Sequence, residues 1–158
     1  MQNKGNAMKY GILIAALLPL FSGTLSAQRG MGGMQGWNLF EGVPFEEVFL
    51  EEQGISWQQP KFDKGMKAME GQVITLRGHV IILDAYIRLN VILSRFPSKA
   101  CFFCAASGPE TIAEVELANK PRRLLNDQII TVRGKLKLNE SDPYKLNFIL
   151  QEAEIIGE

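Results

Sequence analysis

Five stretches of the chain alternate apolar with polar residues, a pattern that is typical of half-buried β-strands. They are rich in Val, Ile, Leu and Thr, and turn residues separate each stretch from the next. The five stretches are residues 72–83, 88–96, 111–117, 128–138 and 145–156. Short strands in series, with no long helices between them, predict a mainly β domain, because such strands bury their apolar faces against one another.

Two of these stretches resemble each other, and each has a glycine in its middle. They read QVITLRGHV at 72–80, with Gly78, and QIITVRGKL at 128–136, with Gly134. Glycine inside a strand marks a bulge or a sharp bend, which a small barrel needs where a strand passes between its two sheets. A bent first and fourth strand therefore predict a small five-stranded OB-like barrel, with a small sandwich as the alternative.

The alternation also assigns the two faces of these strands. The side chains expected to point into the barrel are Ile74, Leu76, Val80 and Ile82 on one strand and Ile130, Val132, Leu136 and Leu138 on the other. Arg77 and His79 lie on the opposite face, matching Arg133 and Lys135. His79 is therefore expected on the exterior, unless a bulge at Gly78 changes the register.

The segment before the strands, residues 37–70, is predicted to be helical or irregular, with one or two short helices. Helical spacing is found at Phe45, Val48, Phe49 and Glu52. A helix there would end at Gly54. A second short helix or turn is expected over 63–69, with Asp63 as its N-cap. Trp57 and Phe62 are expected to pack this segment against the domain.

The first 27 residues read as a secretory signal peptide. Lys4 and Lys9 precede an apolar run over 12–21, and small residues end at Ala27, where cleavage is expected. The run is shorter than the ~20 residues of a membrane span, so no transmembrane segment is expected after cleavage; an uncleaved anchor is the alternative. The prediction is export to the periplasm of a Gram-negative bacterium.

The mature chain would consist of a Gly-rich linker over 28–36, the segment 37–70 and a barrel domain over 71–158. Cleavage removes Lys4 and Lys9 from the 17 basic residues and none of the 17 acidic ones, which leaves a net charge of about −2. Nucleic-acid binding depends on clustered Lys and Arg, so this balance excludes a nucleic-acid partner. The sequence does not define an oligomeric state.

Both cysteines of the chain, Cys101 and Cys104, flank two phenylalanines, Phe102 and Phe103. In the oxidising compartment that a signal peptide implies, a disulfide between them is one interpretation. Half of a zinc site is a second, with zinc as the candidate cofactor. Structural zinc takes four ligands, so His79 and Glu110 are the candidate supporting groups. An oxidised pair would hold no metal, because zinc binds thiolates.

Thiol–disulfide exchange is a third interpretation of this CxxC pair. Redox sites of this kind place the motif at the start of a helix, which lowers the pKa of the first thiol. Here Gly108 and Pro109 follow closely and would end a helix before it formed. The chain has a single histidine, and therefore no paired histidines for a hydrolytic metal site. We therefore expect a protein that is not an enzyme.

Several motifs in chain order resemble an uncharacterised family of exported bacterial proteins, the domain of unknown function DUF3299. The matching pieces are KAMEGQV at 67–73, Phe96-Pro97, CFFC at 101–104, SGPE at 107–110, VRG at 132–134 with LKLN at 136–139, and NFIL at 147–150. The resemblance covers about residues 57–156, and the cysteine block is its most specific part. It carries over Cys101, Cys104, Gly108, Pro109 and Glu110, and Trp57 less closely.

This resemblance implies a binding or accessory module of the cell envelope, because the family has no established enzymatic activity. Its members often accompany ABC-type transporter genes, some linked to zinc limitation, which implies an envelope protein partner and metal handling. Members often have an aromatic residue at the position of His79, so His79 is not implied as a shared ligand. In a disulfide-stapled interaction domain, Phe102 or Phe103 would be the exposed anchor, with Gly108 and Pro109 beside it.

Overall fold

The computed structural model describes residues 34–82, 90–100, 107–119, 121 and 123–158. The strands of these ranges are β1 (Met34–Gln35), β2 (Phe45–Leu50), β3 (Ile55–Pro60), β4 (Val73–Ile81), β5 (Asn90–Ser94), β6 (Ile112–Leu117), β7 (Ile129–Leu138) and β8 (Phe148–Gly157). The one α-helix among them, α1, spans Lys64–Lys67, and single 3₁₀ turns span Trp37–Leu39, Ser98–Ala100 and Pro109–Thr111. Within the same ranges, no helix has the length and apolar character of a membrane span.

Strands β4 to β8 form a closed five-stranded barrel. Strand β4 pairs antiparallel with β5, and β5 pairs antiparallel with β6. Strand β6 pairs parallel with β8, β8 pairs antiparallel with β7, and β7 returns to pair with β4. The short strand β1 adds a parallel pairing to β4. The predicted mainly β, OB-like barrel is thereby confirmed.

The two mid-strand glycines lie where barrel strands approach most closely. Residues 73–79 of β4 pair with β7 and residues 79–81 pair with β5, so Gly78 lies at the point where β4 begins to pair with β5. A Cβ on Gly78 would overlap the carbonyl oxygen of Ser94. On Gly134 it would lie 2.9 Å from the Cβ of Ala153, and the β7–β8 register shifts at this point. Both glycines therefore permit a close approach of backbones.

The inward face of β4 and β7 is confirmed at all but its ends. Six of the expected side chains are buried, namely Ile74, Leu76, Val80, Ile130, Val132 and Leu136. Leu138 is half-buried against the same core. The expectation for Ile82 is wrong: it follows the last residue of β4, Ile81, and its side chain is 48% exposed. Strand β4 therefore ends one residue before the last inward position that the alternation predicts.

An aromatic cluster closes one part of the core. Phe40 stacks on Phe148 with ring centroids 4.0 Å apart, and Phe62 meets Phe148 edge-on at 5.7 Å. Trp37 packs against Phe40, and its indole N–H donates to the carbonyl oxygen of Arg77 at 2.8 Å. The segment before the barrel is therefore attached to it by buried aromatic rings, as expected for Phe62.

The helix predicted from Phe45 to Glu52 is wrong, because these residues belong to a β-hairpin. Strands β2 and β3 pair antiparallel from Phe45 opposite Pro60 to Leu50 opposite Ile55, and they form a separate two-stranded sheet. Trp57 lies opposite Val48 in this hairpin and is half-buried. Pairing with β3, whose residues lie five to fifteen positions further along the chain, determined the structure of this segment, which is too short for its periodicity to be decisive.

The second predicted helix is confirmed as α1. The side chain of Asp63 caps it by accepting a 2.7 Å hydrogen bond from the backbone N–H of Met66. Met66 is buried in the core, so one short turn contributes an apolar side chain to the barrel.

The connection between β7 and β8 is organised by one buried side chain, Asn139. Its Nδ2 donates to the carbonyl oxygens of Asp142, Lys145 and Leu146 at 2.7, 3.2 and 3.3 Å. Its Oδ1 accepts from the backbone N–H of Asp142 at 2.9 Å. The hairpin is attached to this loop, since Gln59 Nε2 donates to the carbonyl oxygen of Glu140 at 3.1 Å.

Gly78→Ala is expected to lower the free energy of unfolding by about 1–3 kcal/mol, because the added methyl group overlaps the carbonyl oxygen of Ser94. Urea denaturation followed by tryptophan fluorescence measures the change. Gly157→Ala is the matched control, since its Cβ would lie 3.4 Å from Thr131 Oγ1 in ordinary contact. Equal stability of the two variants would contradict the close approach at Gly78.

Candidate functional site at the cysteine loop

The cysteine loop, residues 95–111, connects β5 to β6, and the structure describes its two ends. Cys101 to Cys104, with Phe102 and Phe103, lie outside the described residues, so their predicted pairing and exposure stay predictions. The chain leading into the loop is described to Ala100, and the chain leaving it from Ser107. Both ends are fixed to the barrel, at different strands.

The entrance of the loop is held by a carboxylate. Ser98 donates from its backbone N–H to Asp127 Oδ1 and from its hydroxyl to Asp127 Oδ2, each at 2.6 Å. Ser98 begins the single 3₁₀ turn that runs to Ala100, so Asp127 satisfies a donor that the turn itself leaves unpaired. One carboxylate thus fixes both the backbone and the side chain of the residue three positions before Cys101.

Asp127 stands at the entrance because of a tight turn ahead of β7. Its φ of 61° lies in the left-handed region, which Asp and Asn adopt more readily than most residues. Its backbone N–H donates to the carbonyl oxygen of Val80 at 2.8 Å, and the side chain of Asn126 accepts from the backbone N–H of Ile82 at 3.0 Å. The turn therefore prolongs the β4–β7 pairing past its last strand pair.

The surroundings of Asp127 favour its ionised form. The hydroxyl of Ser98, and after it the backbone N–H of Ser98, hold the pKa of this carboxyl below its ordinary value of 3.8. Desolvation opposes this lowering of the pKa, and the electrostatic effects of His79 and Lys99 add to it. Asp127 is therefore a permanent anion at neutral pH, and its two short hydrogen bonds are charge-assisted.

His79 joins this cluster from β4. It is half-exposed on the outer face, as predicted, and its Nδ1 lies 3.4 Å from the backbone carbonyl oxygen of Asp127. In register it lies opposite Ser94 at the end of β5, and Ser94 lies opposite Ile112 at the start of β6. His79 is therefore on the same outer face as the strand ends from which the loop leaves and to which it returns.

These groups do not form a catalytic triad. In a triad the serine hydroxyl is hydrogen-bonded to the imidazole, and the carboxylate to the other ring nitrogen. Here the hydroxyl of Ser98 donates to the carboxylate itself, and Nδ1 of His79 lies beside the backbone carbonyl of Asp127. The order of contacts is therefore not that of a triad, and the carboxylate holds Ser98 in place.

The exit of the loop is a second built turn. Thr111 Oγ1 donates to the carbonyl oxygen of Gly108 at 2.7 Å and shares a 2.9 Å hydrogen bond with the hydroxyl of Ser107. Pro109 occupies the first position of the 3₁₀ turn, where its missing N–H costs nothing. The carbonyl oxygen of Thr111 accepts from the backbone N–H of Arg95 at 2.8 Å, which joins the exit to the chain entering the loop.

The remaining predicted site residues fall into two places. Glu110 is half-buried in the exit turn, where its carboxylate lies so close to Gly108 that an added Cβ would overlap it. Trp57 lies in the hairpin, on β3. No group of three or more His, Cys, Asp and Glu side chains within the described ranges is placed to hold a metal ion. A zinc site that adds Cys101 and Cys104 to His79 and Glu110 stays a prediction.

Ser98 and Asp127 were not predicted from the sequence, although they hold the entrance of the loop. The available signal was the pair Asn126-Asp127, since these residue types favour tight turns and accept backbone hydrogen bonds. Ser98 is 29 positions away, and only the closure of β4 against β7 brings the two together.

Asp127→Asn is expected to lower stability at neutral pH, because the charge on the acceptor of both Ser98 bonds is lost. The folded pKa of Asp127 lies below its unfolded value, so its stabilisation is fully present above 3.8 and disappears as the pH falls through the folded pKa. The difference in urea midpoint between the wild type and this variant should therefore be constant near neutrality and shrink below a pH of about 4.

Ser98→Ala is the matched control for this pH dependence. This substitution removes the largest cause of the lowered pKa of Asp127 and leaves the backbone hydrogen bond of residue 98 in place. When Asp127→Asn is made in the Ser98→Ala background, the part of its effect on the urea midpoint that disappears in acid should therefore be smaller than in the wild type. A midpoint difference for Asp127→Asn that stays the same from neutral pH to acid would contradict the proposed charge-assisted anchor.

Comparison with known proteins gives a similarity to a solved structure. No family model matches the chain, and no curated protein gives a significant match. Among solved structures, the chain is similar to the crystal structure of a DUF3299 family protein from Pseudomonas aeruginosa, with a TM-score of 0.43 and 16% sequence identity over 63% of this chain and 68% of that one. That neighbour is a member of the family whose motifs this sequence resembles.

Proposed function

We propose that this chain is an exported, non-enzymatic binding or accessory module of the cell envelope, in which an OB-like barrel presents the loop that contains Cys101 and Cys104. The observation that carries the proposal is the anchoring of both loop ends. Asp127 holds the entrance at Ser98, and the Ser107–Thr111 turn holds the exit. A loop whose ends are fixed loses less conformational entropy when it binds, which favours recognition.

The chemistry of the anchors supports binding over catalysis. The hydroxyl of Ser98 donates to a carboxylate that has a lowered pKa, so it is a poorly activated nucleophile. The single histidine of the chain contacts a backbone carbonyl. These groups keep the loop in position, and a partner would meet the loop itself, with Phe102 or Phe103 as the anchor and Gly108 and Pro109 beside it.

The alternative of thiol–disulfide exchange gains no support from the exit of the loop. After Ser107 the chain makes one 3₁₀ turn over Pro109–Thr111 and then enters β6. A redox cysteine of the thioredoxin kind depends on the N-terminus of a helix to lower its thiol pKa. We infer a structural disulfide between Cys101 and Cys104 as the resting state, which suits an oxidising compartment.

The envelope partner and the metal are inferred from the family resemblance. Its members often accompany ABC-type transporter genes, some linked to zinc limitation, so we propose that the module acts beside such a system. The reduced form of the loop would then take zinc through Cys101 and Cys104, with Glu110 as the nearest supporting carboxylate in sequence. A disulfide and a Cys-ligated zinc exclude each other, so the oxidation state and the zinc content of one sample distinguish the two states.

Protein purified from its native compartment is expected to contain an oxidised Cys101–Cys104 pair and little zinc. Intact mass should show a chain lighter by two hydrogen atoms than the reduced form, and elemental analysis of the same sample should give substoichiometric zinc. Cys104→Ser is the control, since it cannot lose those hydrogens and should weaken any zinc uptake by the reduced protein. Stoichiometric zinc with both thiols unoxidised would make metal handling the leading function.

The reduction potential of the pair distinguishes the module from an oxidoreductase. A structural bridge is expected to have a potential below about −300 mV. A potential in the range of thiol oxidants, together with a lowered thiol pKa, would replace the binding proposal by thiol exchange.

A further inference from the structure

The hairpin of β2 and β3 forms a second surface, to which the proposed role of the cysteine loop assigns no function. It forms a sheet of its own, apart from the barrel sheet. Its attachment lies at the base, where Phe45 packs against the core and Pro60 is buried. Further along, the only other described attachments are hydrogen bonds from Asn147 to Gln58 and from Gln59 to the 139–147 loop. Its outer half, residues 48–57, makes no hydrogen bond or ion pair to the rest of the described chain.

One large apolar side chain lies in that outer half without a cover. Phe49 is 61% exposed, and its cross-strand neighbour is Ser56, which cannot shield it. On the other face of the hairpin, Val48 lies opposite Trp57 and Leu50 opposite Ile55, and all four side chains are half-buried. A two-stranded sheet is marginally stable by itself, so an uncovered phenylalanine there contributes little to folding. It is a candidate anchor for a partner.

The stretch of sequence that contains Phe49 has charged residues of a single sign. Residues 37–60 contain five glutamates and no Lys or Arg. Two of these glutamates are used within the chain, since Glu41 pairs with Arg95 at 2.7 Å and Glu46 pairs with Lys61 at 3.0 Å. The other three, Glu47, Glu51 and Glu52, make no ion pair within the described ranges. They flank Phe49 in the sequence, so an apolar anchor is bordered by three uncompensated carboxylates.

This charge distribution selects the kind of partner. A second copy of the chain would bring like charges together on the same surface, which is unfavourable. An anionic membrane surface would repel the three carboxylates in the same way. We propose that the outer half of the hairpin docks on a basic protein surface, with Phe49 in an apolar pocket and Glu47, Glu51 and Glu52 facing Lys or Arg side chains. This surface is separate from the loop anchors, so it stands whether or not the loop has its proposed role.

Site-specific photo-crosslinking tests this proposal. A benzoylphenylalanine at position 49 of the full chain, expressed in the cells that produce it, is irradiated, and the adduct is mapped by mass spectrometry. We expect one main adduct, on a Lys- or Arg-rich segment of a different protein. The triple variant Glu47→Lys, Glu51→Lys, Glu52→Lys should reduce its yield about tenfold, because like charges then meet across the contact.

The control places the same photoreactive residue at position 144, since Tyr144 is 76% exposed on the 139–147 loop. The adduct seen at 49 should be absent there. Raising the salt concentration should weaken the adduct of the otherwise unaltered chain, which tests the charge without any glutamate variant. Adducts with a second copy of this chain, with lipid or with an acidic segment, equal adducts at both positions, or no adduct would each overturn the proposal.

Discussion

Closure of the barrel requires β4 to pair with β7 along its first part and with β5 along its last part. The strand can change partners only where the residue has no side chain to separate the two backbones. Gly78 meets the carbonyl oxygen of Ser94 at the point where pairing with β5 begins. The same crossing brings the end of β4 beside the turn that precedes β7, because Val80 exchanges backbone hydrogen bonds with Asp127 and Gln128. The bend that closes the barrel therefore also places Asp127 where it can anchor the cysteine loop.

Two connections, one at each end of the barrel, are anchored in the same way. Each is held by one side chain that satisfies several backbone groups at once, Asp127 for the cysteine loop and Asn139 for the β7–β8 loop. They differ in charge. Asp127 is an exposed anion whose hold depends on ionisation, whereas Asn139 is buried and neutral and holds its loop by geometry. The barrel can therefore present one end whose anchoring responds to acid and one whose anchoring does not depend on this titration.

Periodicity predicted the barrel because its strands are long enough for the pattern to be unambiguous. Burial alternates over residues 73–80 of β4 and 129–137 of β7, and the glycines of these strands indicated the bends. The hairpin could not be predicted in the same way. Phe45, Val48 and Phe49 fit a helical spacing, yet the pairing of β2 with β3 decided the outcome. Ser98 and Asp127 were missed for a related reason, since their contact exists only once the strands have closed.

The conformation of the β7–β8 loop also depends on the side-chain amide of Asn139 remaining chemically intact. Hydrolysis of its side-chain amide, a slow reaction of ageing proteins, would replace Nδ2 by a carboxylate oxygen of nearly the same size. The three carbonyl oxygens of Asp142, Lys145 and Leu146 would then face an acceptor where they now receive hydrogen bonds. Buried acceptors opposed in this way are costly, so the loop would open, and with it the support that Glu140 gives to the hairpin. The exchange of one side-chain group, with almost no change in volume, would loosen the hairpin, which forms a sheet apart from the barrel sheet.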